Sequence, residues 1–278
     1  MASGQRGRTF LVFRQRLVAP CPARWAALVL ALLGSVSRRV AAQEGADPHA
    51  VMPERPTVAT HAWTVAPGYA EVEVGIEWDH NPSGTTALET PTLLKIGLAR
   101  RLQLGLAASL TRPPASGLGV SDLTVGLKVR LANDLPIVGA LAVLPSVKLP
   151  TANPAHGTGT TDGTLLLISS HQLGHMSLDI NFGYTRRSGD GARAPRSATL
   201  WTSSAGVPLA GAVGLAVEVY GYPRTGGPAG SAGIVALLAG PTLSLRPRWT
   251  ADLGGILPLR GPQPDALYTG FVYNLGAL

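Results

Sequence analysis

Cysteine is nearly missing from this chain: Cys21 is the only one. Beyond residue 42 there is therefore no disulfide, no thiolate metal site and no cysteine nucleophile. Lipid attachment at Cys21 is not expected either, because Pro20 precedes it and the apolar run follows it rather than leading to it. Charge is also scarce, at 14%, while 45% of the residues are hydrophobic, which excludes a disordered chain. Good helix composition is lacking: 34 glycines and 23 prolines, the two poorest helix residues, argue against a long-helix protein. Long apolar runs are absent apart from one beginning at Trp25 and running through Leu33. That run is nine residues, short of the roughly 20 that a membrane-spanning helix needs. Aromatic residues make up only 5%, so any interfacial girdle is thin.

The net charge of +7 suggests a nucleic-acid partner until it is located. Residues 1–42 hold Arg6, Arg8, Arg14, Arg16, Arg24, Arg38 and Arg39 and no acid, which leaves 16 basic against 16 acidic residues in the remainder. The basicity belongs to targeting, and no nucleic acid is expected as a partner. A basic region, an apolar core and the small-residue site Val40-Ala41-Ala42 read as a signal peptide over 1–42, cleaved before Gln43. Residues 43–62 are polar and aperiodic and read as a periplasmic lead-in. Residues 63–278 form the main domain.

What fills that domain is alternation. In Ser121–Leu131, residues Leu123, Val125, Leu127, Val129 and Leu131 face one way, and Asp122, Thr124, Gly126, Lys128 and Arg130 the other. Tyr69–Asp79 puts Glu71, Glu73 and Glu77 opposite Val72, Val74 and Ile76. Met176–Thr185 opposes Ile180, Phe182 and Tyr184 to Asp179, Asn181 and Gly183. Leu102–Thr111 and Val213–Tyr222 repeat the pattern, and about twelve such segments run to the C-terminus. Their links alternate between long ones rich in Gly, Pro and Thr, roughly eight to twelve residues, and short ones of roughly two to seven. Loops on one rim and turns on the other are the pattern of an up-and-down antiparallel transmembrane β-barrel, and segments near ten residues suit a tilted membrane strand. The expected fold class is thus all-β, a barrel of about 12 strands. In that arrangement the apolar walls meet lipid, and Glu71, Glu73, Glu77, Lys95, Asp122, Lys128, Arg130, Lys148, Asp179, Asn181, Glu218 and Asp252 line the lumen. Neither sign dominates, so these groups are expected to pair across the lumen, with a solute path along some of them as the functional alternative.

The pattern G-x-G-x-x-D-x-x-x-G-x-K at Gly117, Gly119, Asp122, Gly126 and Lys128 resembles the MetA-pathway phenol-degradation family of bacterial outer-membrane barrels. Further pieces agree: Val147-Lys148-Leu149-Pro150-Thr151 followed by Gly157-Thr158-Gly159-Thr160; Asn181-Phe182-Gly183-Tyr184; Glu218-Val219-Tyr220-Gly221; and Asp252-Leu253-Gly254. The resemblance spans residues 63–278. It implies passive uptake of small solutes, hydrophobic or aromatic compounds among them. The implied partners are outer-membrane lipid, the barrel-insertion machinery and a small-molecule solute, and the implied location is the outer membrane. A non-transporting structural barrel and an exported soluble β-protein are the alternatives.

Catalysis and metal binding find little support. His171 and His175 are four apart, but across a turn rather than on a helix. Ser169, Ser170 and His171, like His175-Met176-Ser177, lack the Asn-Gly that accompanies the serine–histidine pair of barrel-embedded lipases. Gly157-Thr158-Gly159-Thr160 has neither the lysine nor the helix of a phosphate loop. No enzyme, cofactor or metal is expected.

Overall fold

The computed structural model describes residues 47–192 and 194–278. The expected signal peptide lies outside the described residues, as do positions 43–46 of the lead-in.

Alternation becomes strand wherever it was clean. The strands are β1 (Tyr69–His80), β2 (Thr86–Ala99), β3 (Leu102–Arg112), the two-residue β4 (Gly119–Val120), β5 (Leu123–Leu135), β6 (Gly139–Leu149) and β7 (Asp162–Leu173). They continue with β8 (Met176–Arg187), β9 (Ser197–Ala210), β10 (Val213–Tyr222), β11 (Ile234–Arg246), β12 (Trp249–Arg260) and β13 (Asp265–Ala277). Each long strand pairs antiparallel with its chain neighbours, and β13 returns to pair with β1, so the wall closes. The result is twelve wall strands plus β4, which only extends β3 through the Leu110 and Val120 partners. Closure leaves no free sheet edge. The wall strands are ten to fourteen residues long.

Short turns such as Arg100-Arg101 and Gly174-His175 gather with Tyr69 and Leu278 at one rim, here the turn rim. The longer connections form the loop rim. Two of these are shorter than the sequence suggested: β2 begins at Thr86 and β13 at Asp265, because hairpin pairing continues past the last clean alternation.

The burial pattern is inside-out. Leu253 is 58%, Phe182 51% and Phe271 46% exposed, whereas Lys95, Glu71 and Glu218 are 0% and Lys128 1% exposed. Exposed charges on the strands sit at strand ends, as at Arg112, Arg186, Arg246 and Arg260. A water-soluble sheet would hide the leucines and show the lysines. Here the polar wall is the interior one, as in barrels that meet lipid on the outside.

A polar lumen filled by the chain's own lead-in

The described part of the lead-in, from Asp47 onward, runs inside. The physical reason lies in its backbone. An extended segment without a sheet partner carries a donor and an acceptor at every residue except proline, and each needs a partner when buried. The wall supplies them. The Glu71 carboxylate accepts the Met52 amide at 2.8 Å, and Glu73 accepts Glu54 at 2.9 Å. Glu218 accepts both Val58 and Ala59 at 2.7 Å. Asn181 accepts the Thr60 amide at 2.7 Å and donates back to the Thr60 carbonyl at 2.9 Å. Ser170 accepts from Ala62, and Gln103 from Val65. From Met52 to Val65 the segment thus touches β1, then β10, β8 and β7, and finally β3. It forms a belt around the inside of the wall.

Charged side chains fix the belt at four points. Lys128 reaches from β5 to the Glu54 carboxylate and also donates to Thr60 Oγ1 and the His61 carbonyl, both at 2.9 Å. Lys95 sits 2.6 Å from Glu73, close to Glu71, and donates to the Met52 carbonyl. Arg55 forms a two-bond fork on Asp252, through Nε at 3.2 Å and Nη2 at 3.0 Å. The Arg130 guanidinium lies 4.9 Å from the Trp63 ring centroid, a cation–π contact, and donates to the Arg100 carbonyl. Apolar contacts complete the belt: Val58 packs on Tyr220, Leu238, Ile256 and Tyr268, and Trp63 packs beside Ala140, Ala142 and Ile168.

Two glycines explain how Arg55 fits. Gly75 and Gly270 are cross-strand partners on β1 and β13. A Cβ at Gly75 would stand 2.0 Å from Arg55 Nη1, and one at Gly270 2.5 Å from Nε. The guanidinium therefore lies in a notch that only two facing glycines leave open.

Of the twelve residues expected in the lumen, Glu71, Glu73, Lys95, Lys128, Arg130, Asn181, Glu218 and Asp252 are brought together on the belt. Asp179 stands one step behind it, accepting from Ser170. Glu77 lies nearer the loop rim, where Asp79 and Glu89 are its charged neighbours. Asp122 and Lys148 form a separate group at the loop rim. Lys148 Nζ is 2.8 Å from Asp122 and 3.4 Å from Asp162, and Arg187 holds Asp162 from the other side at 3.2 Å. Asp122 also accepts the amides of Ala152 and Thr158, which ties down the loop between β6 and β7. Burial opposes the charge on Asp122, but the hydrogen bonds from Lys148, Ala152 and Thr158 outweigh it and hold its carboxyl below the ordinary value. A Cβ at Gly157 would lie 2.5 Å from Asp122 Oδ1, so this close approach needs glycine.

The expected pairing across the lumen takes a different form from strand-to-strand bridges. Asp122 and Lys128, six residues apart in the family-like motif, do not meet each other. One latches a loop and the other clamps the belt. Sequence reasoning missed Glu54, Arg55, Gln103, Ser170, Asp162 and Arg187. The first two sit in an aperiodic segment that gave no face to assign. Gln103 and Ser170 are neutral, and their inward parity was the only available signal.

The serine–histidine contact is present but not poised for catalysis. Ser169 Oγ is 2.9 Å from His171 Nε2, yet its proton goes to the Val138 carbonyl at 2.7 Å. Nε2 must then be the donor, and a protonated nitrogen is no general base. No cluster of three metal-ligating side chains occurs among the described residues.

A closed, inside-out, up-and-down barrel with a polar interior has the fold of the bacterial outer-membrane barrels. Within that class, the chain belongs to the family described as "Putative MetA-pathway of phenol degradation", whose model matches residues 54–258. The matched span begins at Glu54 and so includes most of the belt. The COG4313 outer membrane channel from Pseudomonas putida F1 is similar in structure, with a TM-score of 0.61 at 14% identity over 79% of this chain and 100% of that one. A NanC porin aligns with a TM-score of 0.48 at 12% identity, over 73% of this chain and 98% of the porin. No curated protein matches the chain in sequence.

Proposed function

We propose that the protein is an outer-membrane channel that admits small solutes passively, past a lumen narrowed by its own lead-in. The observation that carries this reading is the double inversion of polarity: a leucine-rich outside suited to lipid, and an ion-paired inside organised around a belt rather than a dry core. Selection is steric and electrostatic, with no covalent step. The loop-side lumen favours apolar or aromatic solutes. There Tyr220, Leu238, Ile256, Ala266 and Tyr268 form an apolar patch against which Val58 of the belt packs. The Tyr268 ring lies across Gly254, where a Cβ would stand 2.3 Å from its hydroxyl, so the wall is smooth at that point. The family membership and the channel among its structural likenesses point the same way.

A structural, non-transporting barrel is the second reading, favoured by the extent to which the belt fills the lumen. Liposome swelling and planar-bilayer conductance separate the two. The full chain should pass small solutes slowly, and a variant lacking residues 47–64 should pass them markedly faster while keeping heat-modifiable gel mobility. A folded barrel that passes nothing in either form would leave the structural reading. Recovery in the soluble periplasmic fraction would remove both.

A further inference from the structure

The loop rim carries a feature that the lumen does not use. Register places Phe182, Trp201, Gly221, Val235 and Arg260 in one row across β8 to β12, each the partner of the next. Partners share a face, and Phe182 and Trp201 are exposed on the outer one, so Gly221 and Val235 face outward as well, while Arg260 pairs with Val235 across a register shift and is exposed at the end of β12. The row spans roughly 19 Å at the usual strand spacing. At Gly221 the outer wall has a dent: a Cβ there would lie 2.8 Å from the Trp201 ring. Above the row the connection from Pro223 to Gly233 folds over, held by paired bonds between Thr225 and Ser231 and by the Ala229 amide on the Gly191 carbonyl. Loop and wall enclose a cavity of about 900 Å³ lined by Trp201, Arg224, Val235 and Arg260, among others. Arg224 and Arg260 are exposed, and among the described residues neither guanidinium has an ion-pair or hydrogen-bond partner. The arginines cited in the lumen, by contrast, are engaged.

We infer that this outward notch holds the phosphate-bearing headgroup of an outer-leaflet glycolipid. The inference rests on the outer-membrane reading. Two unpaired guanidiniums match a phosphate in charge and in their planar donor geometry. Trp201, exposed on the outer face and lining the notch, is the type of side chain that sits at the boundary between headgroup and acyl chain. Below the row, the exposed Leu237-facing wall of β11 and β12, with Leu253 and Leu257 outward, offers a track for acyl chains. Trp201 and Val235, both on the outer face of the wall, line the notch, which is why a lipid is chosen over a permeating solute.

The test uses the full barrel folded into vesicles that contain a diphosphorylated glucosamine-based acyl lipid, or the same lipid after dephosphorylation. Retained lipid is read by native mass spectrometry. Wild type should keep the phosphorylated form selectively, and excess inorganic phosphate should not displace it. Arg224→Gln and Arg260→Gln should each weaken retention about fivefold, and together about 25-fold, while Arg186→Gln should leave it unchanged. Equal retention of both lipids, full displacement by inorganic phosphate, or a double variant that binds like wild type would each overturn the inference while leaving the channel reading intact. A chain that never inserts into vesicles would remove both.

Discussion

Lys128→Met isolates what holds the belt in place. Methionine is about as long as the lysine stem and keeps its packing, so the change removes the charge and little else. Lys128 is 1% exposed and joins the Glu54 carboxylate to Thr60 Oγ1 and the His61 carbonyl. Without it, the main remaining partner of Glu54 is the Gln103 amide at 3.2 Å. Breaking a buried pair by removing one member costs about 3–5 kcal/mol. That cost falls on belt docking rather than on the wall, because the orphaned partner belongs to the belt. At about 1.4 kcal/mol per factor of ten, the docked-to-undocked ratio drops roughly a hundredfold to several thousandfold. Conductance in planar bilayers should rise and flicker, the lead-in should become open to protease, and heat-modifiable mobility should persist. Adding Glu54→Gln should restore part of the docking, since no unpaired charge then remains buried. Wild-type conductance together with wild-type protease resistance in Lys128→Met would refute the reasoning. So would a double variant worse than the sum of the singles.

Glu218→Ala should strip two buried amides, Val58 and Ala59, of their acceptor, at about 1–3 kcal/mol each, and hydrogen exchange should speed up at those two positions before others in the belt. Gly75→Ala should expel the Arg55 guanidinium from its notch and reproduce the flux of Asp252→Asn, whereas a silent Gly75→Ala would count against the notch. Asp122→Asn should loosen the loop between β6 and β7, read as faster proteolysis between residues 150 and 161, with lumen conductance little changed. Because the folded Asp122 carboxyl lies below its ordinary value, the latch is fully formed at neutral pH and should fail only as pH falls through that lowered value. A latch that opened as pH rose would contradict this assignment.

Alternation alone fixed a great deal. The clean period of two in Ser121–Leu131 and Met176–Thr185 settled which side chains share a face, and the long–short rhythm of the links settled the up-and-down order. Both are local properties, because side-chain parity is decided by the backbone of a single strand. The twelve proposed lumen residues followed from parity and charge. What parity cannot give is the partner. Glu218 shares its inward face with no nearby base, and it makes sense only once the amides of Val58 and Ala59, some 160 residues away in sequence, are set against it. Residues 47–66 have no period to read, since an irregular belt takes its hydrogen bonds from the wall and not from itself. The sequence by itself determined a barrel with a polar inside. Only the closed tertiary structure decided that this inside is filled by the chain's own lead-in, because the acceptors that make its burial tolerable converge from six strands only when the wall is shut.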